Sequence, residues 1–250
     1  MWFYKGKAFS IKLRDMFRIY SPKVSFLLIG LMFNVYSSNA QNLPTYDRKQ
    51  LHFGITMGIN RSAFKLYKHI SFIDSVTNPM DSINSIESAS GMGFNLGIIS
   101  DLRINSHLNL RFIPALSFAE RGVYYEMGTG INKTKKIEST YLDFPLQLKF
   151  KSDRIKDFRL YTFLGSKYSI DMISNAKARN AVGRLKTKKH VFFIEYGMGT
   201  DFYFEYFKFS IELKFSNGLN DNLVYEPEYL YSSVLDRLFP KTFLFSLHFE

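Results

Sequence analysis

The chain has 250 residues and a formal net charge of +11, with 17% aromatic residues, Phe 26, Tyr 16 and no cysteine. Length suits one β-domain with decorations, and the missing cysteines exclude a disulfide framework, a thiol nucleophile and an iron–sulfur site. About +6 of the charge stays with residues 41–250, because Lys5, Lys7, Lys12, Arg14, Arg18 and Lys23 outweigh Asp15 in the first forty; without a basic platform of stacking aromatics, no nucleic acid partner is expected.

Residues 1–23 are basic, 24–36 are apolar, and Ser38-Asn39-Ala40 offers small residues at the cleavage-defining positions. This pattern predicts a secretory signal peptide over 1–40, followed by a periplasmic linker over 41–50. An uncleaved anchor is the alternative, although the apolar run is short for a bilayer span.

Eight stretches then alternate apolar and polar residues. The first, 51–60, sets Leu51, Phe53, Ile55, Met57 and Ile59 against His52, Gly54, Thr56, Gly58 and Asn60. The second, 92–104, sets Phe94, Leu96, Ile98, Leu102 and Ile104 against Asn95, Gly97, Asp101 and Arg103. The third, 107–118, sets Leu108, Leu110, Phe112, Leu116 and Phe118 against Asn109, Arg111 and Ser117. The fourth, 139–151, sets Leu142, Phe144, Leu146, Leu148 and Phe150 against Tyr141, Asp143, Gln147, Lys149 and Lys151. In the fifth, 158–172, Arg159, Lys167 and Asp171 share a parity with Tyr161 and Phe163, so its faces stay open. The sixth, 190–204, sets Phe192, Ile194, Tyr196, Met198, Phe202 and Phe204 against Glu195, Gly197, Gly199 and Asp201. The seventh, 207–216, alternates five apolar residues with Lys208, Ser210, Glu212, Lys214 and Ser216. The eighth, 241–250, carries Phe243, Phe245, Leu247 and Phe249 on one face.

Period two this strict places one face in an apolar medium and one in a polar medium. A soluble sandwich could supply both, but these strands run about ten residues or more, the length a tilted strand needs to cross hydrocarbon. The connections also alternate. Asn105-Ser106, Ser152 to Asp157 and Glu205-Tyr206 are short; roughly 62–91, 119–136, 174–187 and 217–240 are long. Short periplasmic turns with long extracellular loops mark a membrane-spanning antiparallel up-and-down β-barrel of about eight strands. The expected location is the outer membrane.

An eight-strand interior is just filled by side chains. The wall charges Arg103, Arg111, Asp143, Lys149, Glu195, Asp201, Lys208, Glu212 and Lys214, together with Asp101, are therefore expected to pair and plug the lumen; a selective pore lining would need a wider barrel. Inward glycines such as Gly54, Gly97, Gly197 and Gly199 would leave room for the long side chains. Among the loops, 174–190 holds Lys177, Arg179, Arg184, Lys186, Lys188 and Lys189 without an acid, a candidate contact for lipopolysaccharide phosphates or an acidic partner. The loop 217–240 is acidic and tyrosine-rich, with Asp221, Tyr225, Glu226, Glu228, Tyr229, Tyr231 and Asp236, which suits protein recognition.

Catalytic candidates are thin. His69 has Ser62, Ser71 and Asp74 nearby in sequence, and His190 has Glu195, but no GxSxG occurs and no spacing assembles a triad. The His residues form no HxH or HxxxH pair, so no metal is expected. The reading is a non-enzyme without cofactor or small-molecule substrate.

Several blocks resemble one family. They are Gly93-Phe94-Asn95-Leu96-Gly97-Ile98-Ile99-Ser100, Leu108 to Phe118, Lys136-Ile137-Glu138-Ser139-Thr140-Tyr141-Leu142-Asp143-Phe144-Pro145-Leu146, Asp201-Phe202-Tyr203-Phe204 with Phe207-Lys208-Phe209-Ser210, and Ser246-Leu247-His248-Phe249-Glu250. These are similar to the PorT proteins, and the block 136–146 is the most specific. The resemblance covers most of 50–250 and implies an outer-membrane barrel of the Bacteroidetes type IX secretion system, which in some species supports gliding motility. It implies other type IX components as partners and brings no catalytic or metal residue. Because so narrow a barrel cannot pass a folded protein, an accessory role in assembly or stabilisation is expected. The alternatives are a generic small barrel with a structural or adhesive role, or a small outer-membrane enzyme.

Overall fold

The computed structural model describes residues 46, 49–68, 83–127, 132–173, 187–224 and 235–250. The expected leader lies outside them, as does most of the linker. Nine strands follow one another: β1 (Leu51–Lys68), β2 (Ile83–Arg103), β3 (Leu108–Phe112), β4 (Ala115–Met127), β5 (Asn132–Lys151), β6 (Phe158–Asp171), β7 (His190–Tyr203), β8 (Lys208–Gly218) and β9 (Leu235–Phe249). All pairings are antiparallel, and the ring closes because β1 pairs with both β2 and β9. Strands β3 and β4 are two pieces of one stave, each lying between β2 and β5. Pro114, which has no N–H, interrupts the stave, yet its carbonyl still accepts the Ile98 amide at 3.0 Å. The result is an eight-stave β-barrel with no free edge. No helix among the described residues is long and apolar enough to cross a membrane.

The wall is inside out relative to a soluble protein. Phe53, Ile55, Ile59, Ile98 and Met198 stand on the outer surface, each more than half exposed, whereas Asp101, Arg111, Gln147, Lys149, Asp201 and Glu212 inside are wholly buried. Aromatic rims bound the apolar band. At the turn end Phe204, Phe207, Phe249, Phe209 and Phe202 follow one another with ring centroids 5.0–6.4 Å apart. At the loop end stand Tyr168 on Phe192, Tyr196 on Phe215, and Phe215 on Phe243. Such girdles sit where hydrocarbon meets headgroups. The tight turns have local causes: the Asn105 carboxamide oxygen accepts the amides of His107 and Leu108, both at 2.8 Å, which turns the chain without help from the sheet.

The staves run further out than the alternation predicted: β1 continues to Lys68, β2 begins at Ile83, β4 reaches Met127, β5 begins at Asn132 and β9 at Leu235. In this collar the two faces exchange chemistry. Phe64, Ile86, Val123, Tyr125, Leu235 and Leu238 point inward and are buried together, while Arg61, Lys65, Glu87, Lys136 and Glu138 face out and are exposed. Water now lies outside the ring, so the apolar face must turn in. A register shift between Ser90 and Phe94 accompanies the change on β2, a bulge at the junction of the two regimes.

Candidate functional site

The lumen is filled by an ion network that links successive levels. Near the turn end Lys149 Nζ donates to both carboxylate oxygens of Asp201, at 3.0 and 2.8 Å, and Ser210 donates to the same carboxylate at 2.6 Å. Asp101 accepts from Asn109 and faces the Arg111 guanidinium at 3.6 Å. Arg111 Nη1 donates to Glu212 at 2.7 Å, and the Tyr161 hydroxyl donates to the same oxygen at 2.9 Å. Lys214 lies 3.6 Å from Glu212 and 3.8 Å from Glu195, bridging to the next level. There Lys167 sits between Glu195 at 3.3 Å and Asp143 at 3.4 Å, while Ser216, Gln147 and Ser169 donate to the two carboxylates. Higher still, Arg121 donates to the Tyr141 hydroxyl at 2.9 Å. A residual cavity of about 30 Å³ among Asp143, Lys167, Glu195, Lys214, Ser246 and His248 has room for a water.

Glycines on β7 make this packing possible. Tyr161 and Phe163 lie opposite Gly199 and Gly197 in the β6–β7 register. A Cβ on Gly197 would stand 2.6 Å from the Phe163 ring, and one on Gly199 would strike Tyr161. The rings occupy that space and support the cations: Lys149 Nζ lies 3.6 Å from the Tyr161 centroid, Arg111 5.3 Å, and Lys214 5.7 Å from that of Phe163, distances at which desolvated cation–π contacts are strong.

Both ends are closed. At the turn end Tyr46, expected as linker, packs into the mouth. Its ring stacks on His52 at 4.2 Å and its hydroxyl donates to Glu250 at 3.2 Å; Lys208 donates to the same carboxylate at 2.7 Å. Burial alone would raise the Glu250 carboxyl, but Lys208, Arg111 and Lys149 overrule it and hold it at about 2. Burial pushes the Tyr46 phenol up. At the loop end the chain leaving β8 folds across the opening. Leu223 joins the collar cluster, the Asp221 carboxylate accepts the amides of Leu223 and Leu238 at 3.0 and 2.9 Å, and Thr187 bridges to Leu223.

Of the wall charges predicted to face inward, the structure brings Arg111, Asp143, Lys149, Glu195, Asp201, Lys208, Glu212 and Lys214 together in the lumen. Arg103 is a correction. It has the inward parity but is the last residue of β2, where it is only partly buried and its Nε donates to the Asn105 carbonyl of the adjoining turn at 3.3 Å. Arg121, His248 and Glu250 join the network without having been singled out in the sequence. Lys167 lies on a strand whose faces the alternation left open, because Tyr161 and Phe163 share its parity, and Arg121 lay in a stretch taken for loop.

In the basic loop, Lys177, Arg179, Arg184 and Lys186 lie outside the described residues. Lys188 and Lys189 are exposed, and Lys188 pairs with Asp221 at 3.3 Å, so the basic and acidic loops touch there. Tyr225, Glu226, Glu228, Tyr229 and Tyr231 lie outside the described residues, as do His69, Ser71 and Asp74. His190 and Glu195 do not meet: Glu195 is in the lumen, while His190 is exposed and its Nδ1 lies 2.7 Å from the Tyr168 hydroxyl. Among the described residues no group of three or more His, Asp or Glu side chains is arranged to hold a metal.

The family model of the outer membrane protein beta-barrel domain matches residues 20–224. No curated protein matches the chain. Among solved structures, the outer membrane protein OprG of Pseudomonas aeruginosa is 10% identical with a TM-score of 0.43, over 78% of this chain and 94% of OprG. Ail, the attachment invasion locus protein of Yersinia pestis, solved in complex with the heparin analogue sucrose octasulfate, is 14% identical with a TM-score of 0.34, over 80% of this chain and 99% of Ail.

Proposed function

The chain belongs to the outer membrane protein beta-barrel domain family and resides in the outer membrane, and on that premise we propose that it is an accessory component of type IX protein secretion. It acts in assembly or stabilisation of the machinery and, where the machinery drives gliding, in that motility. It is neither the conduit nor a catalyst. The observation that carries the accessory role is the filled lumen: Arg111, Lys149, Asp201 and Glu212 have no solvent-accessible surface, whereas the lining of a conduit is wet. The link to type IX secretion rests on the PorT-like blocks, above all 136–146. That block supplies Tyr141 and Asp143 to the lumen network and places Pro145 beside the β3–β4 break, where its carbonyl accepts the Ile113 amide at 3.3 Å.

With the lumen closed, the working surfaces are the outer loops, the collar and the lipid-facing wall, and the partners are other type IX components and outer-membrane lipids. A deletion strain tests the reading. Loss of secreted proteins bearing C-terminal export signals, restored by the wild-type chain, is the expected result. Normal secretion with a weakened envelope would replace it with a general structural or adhesive barrel. Affinity capture from detergent-solubilised outer membranes then names the partner.

A further inference from the structure

On three neighbouring staves the outward face changes from apolar to polar at one step. Ile59 gives way to Arg61 on β1, Phe243 to Lys241 on β9, and Phe215 to Asn217 on β8. The register gathers these positions: Arg61 pairs with Phe243, and both Ala63 and Asn217 pair with Lys241. Ala63 and Ser90 are short, so the wall is recessed there into a cleft of about 490 Å³. Its floor is aromatic and open, with Tyr196 and Phe215 each 45% exposed and Phe243 38%.

The cations at its upper edge are set for an anion. Arg61 Nε donates to Ser90 Oγ at 3.0 Å, which orients the guanidinium and leaves its terminal amino groups to a ligand. Several other outward cations have an acid: Lys136 has Glu120 at 2.7 Å, Arg237 has Asp236 at 3.4 Å and Lys188 has Asp221 at 3.3 Å, while Lys65 lies over the Tyr67 ring. Among the described residues no carboxylate lies within ion-pair distance of Arg61 or Lys241. A guanidinium fork and an ammonium above exposed aromatics match a phosphate held at the membrane boundary. We propose that this cleft binds the phosphorylated headgroup of an outer-leaflet lipid, with an acyl chain lying over Phe243, Phe215 and Tyr196. A soluble anion would have no use for that floor, and an acidic protein segment would meet the cations from the water side without covering it.

The test uses the whole barrel in nanodiscs, with lipid A carrying its phosphates and the same lipid dephosphorylated as probes, and binding read by native mass spectrometry. The wild type retains the phosphorylated form. Arg61→Gln and Lys241→Gln each weaken retention about tenfold, the loss of one charge-assisted contact, while Arg237→Gln changes nothing. Equal retention of both lipid forms by the wild type would overturn the assignment even if the variants failed to fold. Unchanged retention by the folded double variant would do the same. Full displacement by inorganic phosphate, or by a glutamate-rich peptide, would assign the cleft to a soluble anion or to a protein instead.

Discussion

Lys149→Met is the sharpest probe of a buried, ion-paired lumen. Lys149 is wholly buried, 2.8 Å from one oxygen of Asp201 and 3.0 Å from the other, and its ammonium faces Tyr161 at 3.6 Å. Methionine keeps the length and packs against the ring, so packing changes little and the charge is the variable. Asp201 would keep the Ser210 hydroxyl but lose its contacting cation. Stranding a buried charge in this way costs about 3–5 kcal/mol. Removing the second charge as well, in Lys149→Met with Asp201→Asn, takes away the stranded ion, and replacing a buried pair by neutral groups is close to neutral. The double variant should therefore recover most of the loss, giving a coupling energy of about 3 kcal/mol in a double-mutant cycle. Equilibrium urea unfolding of the barrel in phospholipid vesicles, followed by circular dichroism and by the mobility of the folded band on unheated gels, measures all four species. A single-variant cost below about 1 kcal/mol, the value of an exposed pair, with simple additivity in the cycle, would show that water screens the interior and would refute the plug.

The other expectations test the packing, the lower closure and the cap. Gly199→Val puts a branched side chain where the Tyr161 ring sits and should cost about 1–3 kcal/mol in the same assay, while Thr162→Val on the outer face of β6 should cost little. Glu250 titrates at about 2 in the folded barrel against 4.5 for the free group, so it stabilises fully above pH 4.5 and loses that contribution as pH falls toward 2; Glu250→Gln should flatten this acid limb of the stability curve, and an unchanged limb would assign it to other carboxylates. Leu223→Ala opens the collar cluster and should cost about 2–4 kcal/mol, with faster proteolysis after β8. In planar bilayers the wild type should show no steady ion steps, and a sustained conductance would contradict a closed lumen.

The transmembrane wall was legible because hydrocarbon outside and ions inside impose a period of two, so the parity of Leu51 to Asn60 or of Phe207 to Ser216 assigns each side chain a face. Legibility stopped where the medium changed. Val123 and Tyr125 sit in a collar surrounded by water, where inward residues become apolar, so 119–136 read as a long connection in which Val123 to Met127 could at most lengthen a hairpin outside the membrane. Tyr161 and Phe163 were ambiguous because an aromatic on an inward parity is explained only by the glycines opposite, which belong to another strand and come into register only in the sheet. Leu223 has no periodic neighbours at all, and its burial depends on the cluster contributed by β1, β2, β4 and β9. Arg103 failed for the opposite reason: its parity was right, but it is the last residue of β2 and only partly buried.

The inversion of the wall above Ile59 and Phe243 also acts as a depth stop. Were the molecule to sink, Arg61 and Lys241 would enter hydrocarbon, at up to about 2–4 kcal/mol for each cation at the midplane. Were it to rise, Phe215 and Phe243 would leave lipid for water and forfeit about 25 cal/mol for every Å² exposed. Vertical position is thus restrained from both directions by neighbouring residues on the same staves, and a protein sharing the bilayer would always find the collar at one fixed height above the surface.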